Sequence, residues 1–339
     1  MKASILEIRS ELGAGTRGAS LGPQAVMIAS LVLGSGYFKR YKVKTLQQKF
    51  EHLVGDIQFP TAKRIRAIGQ MNSSVILAVS SIIKEKKFPI VLSGDHSLAA
   101  GTIAALKKSI GNAKLGVIWI DAHFDLHSPY TSPSGNVHGM PLAAALGLDN
   151  MRLRKNDLNP IAEKAWIRLK KQGGVFGKID PKHLLFYGVR DFESEEAQIV
   201  KEHEIKNFTV EEVRKKGIES AVLEGMARLI DTDYIYISFD VDSLDPDITS
   251  YGTGTPVKGG FTPREAIDLI QSFTHSGKVI CFEMVEVNPL LDKQGNKMAE
   301  TAFEVLDAVT PNLEKYGKKI SSIPKPKTES APVRTIRKK

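Results

Sequence analysis

The chain has 339 residues, 42 % of them hydrophobic, which supports one large core in a single α/β enzyme domain. Its one cysteine, Cys281, excludes an internal disulfide; no apolar stretch reaches the ~20 residues of a membrane span, and the start MKASILEIRSELG lacks a secretory pattern, so a cytoplasmic protein in a reducing compartment is expected. The formal net charge of +9 is not a nucleic-acid signature, because residues 318–339 hold eight Lys or Arg against Glu329 alone and leave about +2 for the rest.

Along the chain, short apolar runs alternate with segments of helical period, the pattern of a parallel α/β sheet. Strands are expected at Ser4–Ile8, Ile90–Leu92, Leu115–Ile120, Leu184–Gly188, Tyr234–Phe239 and Val279–Met284. Helices are expected at Pro23–Leu33, Ala62–Lys84, Leu98–Lys108, Pro160–Lys171, Ile218–Leu229, Pro263–Phe273 and Lys297–Leu306. The glycine-rich run Ser10–Gly18 lacks both G-x-G-x-x-G and a Walker lysine, so it reads as a conformational loop at the site rim, with Arg17 structural. Segment 149–179 holds a charged helix pattern around Trp166 and ends at Gly173-Gly174; it suits either a lid or a connection of free length. Residues 1–317 form the expected catalytic domain. The Pro-, Ser- and Lys-rich stretch 318–339 is expected to be a disordered, solvated tail, a nonspecific polyanion contact being the other reading.

Three of the apolar runs end in acids and histidines. Leu115–Ile120 is followed by Asp121-Ala-His123-Phe-Asp125, Tyr234–Phe239 by Asp240-Val-Asp242, and Ile90–Leu92 by Ser-Gly-Asp95-His96. Residues two apart on a strand share a face, so acids at i, i+2 converge on the crevice at the carboxyl edge of a parallel sheet. A lone Asp-x-Asp at a strand end is usually a turn or helix cap. Three such ends are better explained by cations, since four aspartates in one crevice repel and rise in pKa unless neutralised. Four carboxylates and two imidazoles without a thiolate suit Mn²⁺. Two such ions, bridged by Asp121 and Asp240, would hold a water between them and deprotonate it, which implies hydrolysis.

SGDHS at 93–97, DAHFDLHSPYTSPSGNVHGMP at 121–141, SFDVDSLDPD at 238–247, GTGTPVKGG at 252–260 and EMVEVNP at 283–289 resemble the ureohydrolases, and SGNVHG is similar specifically to the arginases. The resemblance runs from about Ile5 to about Leu313. It implies a three-layer α/β/α fold with a mostly parallel sheet, as in the related deacetylases, and hydrolysis of L-arginine to L-ornithine and urea by a hydroxide bridging two Mn²⁺, with Co²⁺ as a substitute. One ion would take His96, Asp121, Asp125 and Asp240, the other Asp121, His123, Asp240 and Asp242. The catalytic residues implied are Asp125 as proton carrier, His138 as relay to solvent and Glu286 as the carboxylate holding the guanidinium. Glu286 also matters for substrate class, because a guanidinium offers paired donors that match a carboxylate, whereas an acetyl-lysine does not.

For the amino-acid end the resemblance implies Ser134, Asn136, Glu193, Glu196 and Thr255. Arginases often carry asparagine two residues after the last aspartate of D-x-H-x-D; this chain has His127, expected to replace the amide as a donor to the α-carboxylate. The resemblance further implies a homo-oligomer, no membrane and no specific nucleic-acid partner. Other possibilities are a ureohydrolase acting on agmatine, guanidinobutyrate or formimidoylglutamate, a noncatalytic scaffold retaining the fold, and a nucleic-acid binder resting on the tail alone.

Overall fold

The computed structural model describes residues 1–320, so the expectation for the tail falls, from residue 321 onward, outside the described residues. Its strands are β1 Ala3–Arg9, β2 Val43–Gln47, β3 Phe88–Ser93, β4 Leu115–Ile120, β5 Leu184–Tyr187, β6 Lys206–Phe208, β7 Tyr234–Asp240 and β8 Val279–Val285. They form one sheet in the order β2-β1-β3-β8-β7-β4-β5-β6. Every pairing is parallel, one step beyond the mostly parallel sheet expected. Central strands such as LGVIWI and VICFEMV are buried along their whole length, because helices cover both faces and leave no solvent side to demand alternation.

Helices Ile65–Lys84, Ala99–Ile110 and Pro160–Lys170 pack on one face; Gly22–Val32, Ile218–Arg228, Pro263–Thr274 and Lys297–Tyr316 pack on the other. That gives three layers with a core on each side of the sheet. Local chemistry starts several of these helices. Thr262 and Glu265 form a reciprocal capping box ahead of Pro263, and Asn159 accepts from the amides of Ile161 and Ala162. No described helix is long and apolar enough to cross a membrane.

Two strands escaped the sequence pattern, β2 and β6, and both are edges. β2 is largely half-exposed and polar, and β6 has three residues, so neither carries a buried apolar run. Segment 149–179 is packed against its neighbours. Trp166 is fully buried and donates to Asp149 Oδ1 at 2.7 Å, while Asn156 Nδ2 donates to the carbonyls of Pro129 and Ser132 at 3.1 and 2.8 Å. Asn150 Nδ2 donates to Leu126 O at 2.8 Å. The segment therefore buttresses the loop that leaves β4.

Candidate active site

Strands β3, β8, β7 and β4 are neighbours at the centre of the sheet, and each ends in polar residues at its carboxyl edge. His96 opens a 3₁₀ turn after β3; Asp121, His123 and Asp125 follow β4; Asp240 ends β7 and Asp242 lies in the next turn; Glu286 follows β8. His96 Nδ1 stands 3.1 Å from Asp121 Oδ2, 3.2 Å from Asp125 Oδ2 and 3.2 Å from Asp240 Oδ2. His123 Nδ1 stands 3.0 Å from Asp242 Oδ2 and 3.5 Å from Asp121 Oδ1. Two triads that could hold a metal ion thus share Asp121: His96, Asp121, Asp240 and Asp121, His123, Asp242.

The cap and the ligand roles turn out to be compatible. Asp121 Oδ1 accepts from His123 N at 2.7 Å and Asp240 Oδ1 from Asp242 N at 2.8 Å, so one oxygen of each carboxylate closes its own turn. The other oxygen faces the cluster. His96 Nδ1 and Asp121 Oδ2 are buried, close to each other and without a hydrogen-bond partner among the described residues, which is costly unless something else engages them. Donor atoms set at right angles around one cation at ~2.1 Å lie ~3 Å apart, close to the spacings seen. The residues fit metal ions.

The charges agree. Burial and the neighbouring acids Asp242 and Asp121 push Asp240 well above the usual carboxylate range, and burial with Asp121 raises Asp242. Asp125 is raised to about 6 by burial and by Asp121. Asp121 alone is lowered: burial opposes this, but the His123 and His96 imidazoles outweigh it. Burial would lower His96 and His123, yet the carboxylates facing them raise both well above the ordinary value. Asp125 and Glu286 also carry positive φ, 53° and 68°, a conformation that non-glycine residues hold only when their surroundings impose it.

Beside the cluster opens a cavity of about 380 Å³. Its lining brings together His96, His123, Asp125, Asp240 and Asp242 with His127, Ser134, Asn136, His138, Glu193, Glu196 and Thr255. Glu286 lies behind this wall, where Oε1 accepts from His96 N at 2.9 Å and stands 3.4 Å from His138 Nδ1. Burial opposes a charge on His138, but Glu286, Asp125 and Asp95 bring its pKa up to about 9.

Comparison with known proteins decides the family. The model of the arginase family matches residues 1–310. The arginase of Bacillus caldovelox is 35 % identical over 318 residues, covering 90 % of this chain and 97 % of that one, and the arginase of Bacillus subtilis is 34 % identical over 90 % and 96 %. The chain belongs to the arginase family. The native structure of the Bacillus caldovelox arginase superposes with a TM-score of 0.77 at 34 % identity, covering 91 % of this chain and 98 % of that one. A hypothetical agmatinase from Burkholderia thailandensis shares the fold alone, at 22 % identity and a TM-score of 0.65, over 93 % and 86 % of the two chains.

Two details of this arginase-family site differ from expectation. The ring of His127 is already engaged: Nδ1 pairs with Thr131 Oγ1 at 3.1 Å and Nε2 with Glu193 Oε2 at 3.0 Å, leaving neither nitrogen free as a carboxylate donor. Thr255 Oγ1 donates to Asp242 Oδ2 at 3.1 Å, so it supports a metal-facing carboxylate while lining the cavity. Glu193 and Glu196 sit at the start of helix Ser194–Glu202, where they form a capping box. That helix was absent from the expected elements, although its acidic first turn was a signal for it. Burial raises Glu196 to about 7, and the bond from His127 lowers Glu193 to about 2.

Some supporting residues were not singled out in the sequence. Ser238 Oγ pairs with His96 Nε2 at 2.8 Å, and Trp119 stacks on the His96 ring at 4.0 Å and 5°. Buried Asp95 accepts from Gly13 N and Ser97 N, tying the first glycine loop to the His96 turn. In that loop Arg17 donates to the carbonyls of Glu11 and Ala14, the structural role expected of it. Ser238 lies two residues before Asp240 in SFDVD and shares its side of the strand, but only the fold brings it beneath His96.

Proposed function

We propose that this arginase-family hydrolase converts L-arginine and water to L-ornithine and urea with two Mn²⁺ ions, residues 1–317 acting as one catalytic domain within a homo-oligomer. The observation that carries this is the pair of triads sharing Asp121, at the carboxyl ends of β3, β4 and β7, with His138 in the cavity lining and Glu286 behind it. His96, Asp121, Asp125 and Asp240 would hold one ion, and Asp121, His123, Asp240 and Asp242 the other. When bound, the ions neutralise the crowded carboxylates and acidify water into a nucleophile near neutral pH. The hard oxygen and imidazole donors favour Mn²⁺, with Co²⁺ as a substitute.

The chain's own groups then divide the work. From behind the cavity wall, the Glu286 carboxylate would compensate the charge of the guanidinium and help orient the carbon to be attacked. Attack turns a planar cation into a neutral tetrahedral species, so a proton must leave the nucleophile and reach the departing amine of ornithine. Asp125, buried beside the cluster with Oδ2 3.2 Å from His96 Nδ1, would carry it. His138 lines the cavity and exchanges protons with solvent. Ser134 and Asn136 receive the α-carboxylate, and Glu193 with Glu196 the α-amino group.

A second reading has one specific observation in its favour. With His127 engaged by Thr131 and Glu193, the carboxylate clamp has one donor fewer, which suits agmatine or another guanidino substrate. Urea release from arginine, agmatine and 4-guanidinobutyrate, and formamide release from formimidoylglutamate, with and without Mn²⁺, separates the two. Metal-dependent release of urea and ornithine, with arginine preferred, is expected; equal use of agmatine would defeat the arginine reading.

A further inference from the structure

Lys63 does not line the cavity, yet its Nζ donates to Asn136 Oδ1 at 3.0 Å, and Asn136 does line it. An amide offers an acceptor on one side and two donors on the other, and its two orientations have nearly the same shape. An ammonium group can only donate. Lys63 therefore keeps the carbonyl oxygen of Asn136 to itself and commits Nδ2 to the opposite side. Gly15 makes room there, since a Cβ at that position would come within 2.7 Å of Nδ2.

The lysine is held in place by a strap rather than by a helix. Periodicity predicts a helix from Ala62, but the helix is Ile65–Lys84, and Arg64 just before it is left-handed with φ 57°. Phe59 and Ala62 are buried in the core, and Lys63 N donates to Gly135 O at 2.8 Å. Pro60 packs so closely that a Cβ on Gly135 would lie 1.7 Å from its carbonyl oxygen. A strained residue such as Arg64 persists only where its surroundings over-determine it. Residues 59–64 thus clamp directly onto the loop carrying Ser134 and Asn136.

We propose that Lys63 is a specificity-determining positioning residue that, by fixing the Asn136 amide, readies a donor for the α-carboxylate of the substrate. The proposal rests on the arginine reading above and deepens it. A carboxylate accepts only, so a flipped amide would set one oxygen against another. The lysine charge adds attraction for an anion at that end. Agmatine keeps the guanidinium and the amine but has no carboxylate, so it is insensitive to the orientation of Asn136. Because both nitrogens of His127 are engaged, more of the discrimination falls to this amide.

Steady-state kinetics on the full-length, Mn²⁺-loaded protein test it, comparing wild type, Lys63→Met, Lys63→Arg and Gly15→Ala on arginine and agmatine. Lys63→Met should raise KM for arginine about tenfold with kcat within about twofold, while kcat/KM for agmatine moves less than about threefold. Lys63→Arg should recover most of the loss. Gly15→Ala should act in the same direction, because it crowds Nδ2 from the other side. Metal content and melting temperature equal to wild type exclude general damage. A wild type that prefers arginine, with that preference unchanged in Lys63→Met or with both substrates losing equally, overturns the role of Lys63 alone. A wild type that releases no urea from arginine overturns the arginine reading and this proposal with it.

Discussion

The two ends of the candidate site are built differently. At the metal end, the candidate ligands stand at or just beyond the ends of β3, β4 and β7, strands buried along their whole length, and Asp121 and Asp240 each close their own turn before facing the cluster. At the end proposed above to take the amino-acid part of the substrate, the candidate contacts stand on a loop and a helix start: Ser134 and Asn136 between β4 and the 3₁₀ turn Val137–Gly139, Glu193 and Glu196 at the start of helix Ser194–Glu202. Strand ends inherit their position from the sheet, whereas loop residues need separate support. That support is visible in the strap around Lys63, segment 149–179 around Trp166 and the pairing of His127 with Glu193. The residues around the candidate metal site are therefore placed by the sheet, and those on the loops by separate contacts.

Perturbing the metal end should do the greatest harm. Asp121 belongs to both triads, so Asp121→Ala should remove more than half the bound metal and nearly all hydrolysis, about a thousandfold or more in kcat. Metal analysis of the purified variant checks this; full occupancy would refute a shared ligand. Glu286→Gln separates the two functions of the buried floor. It keeps the shape and removes the charge, so kcat should fall about a hundredfold while both ions remain bound. Unchanged turnover would remove Glu286 from the site.

Proton linkage gives a graded effect at the same end. The carboxylates raise the pKa of His96 and His123, so these imidazoles carry protons that a cation must displace. Ions and protons compete, and affinity for Mn²⁺ should rise with pH, about tenfold per unit for each proton released. Calorimetric titration in buffers of different ionisation enthalpy reads the released protons directly. Affinity independent of pH would exclude the two imidazoles as ligands. The smallest effect belongs to the loops. His127→Asn breaks the 3.0 Å contact with Glu193, and since the ring is not free to meet the substrate, KM for arginine should change by no more than about fivefold, with metal content intact. A loss comparable to that of Glu286→Gln would place His127 in the chemistry and erase the contrast between the two ends.

Much of the metal end was legible in the chain alone. Continuous apolar runs mark strands buried on both faces, and acids at i, i+2 just beyond them can converge on one side only, because side chains alternate along a strand. His96, Asp121, His123, Asp125, Asp240 and Asp242 do gather at one edge of the sheet. The helix Ser194–Glu202 and the strands β2 and β6 were less legible, since short, polar or edge elements carry little periodic signal.

Sequence by itself determined which apolar runs form buried strands and which polar residues follow them, because burial and side-chain alternation are local consequences of residue type. Tertiary structure alone decided the partners. Nothing between positions 63 and 136, or 127 and 193, announces that an ammonium will hold an amide or that an imidazole will be engaged by a carboxylate. The left-handed conformations of Arg64, Asp125 and Glu286 are likewise imposed by packing against local preference. A polar side chain has several partners of nearly equal worth, and only the folded arrangement of loops, set by contacts far apart in the chain, selects among them.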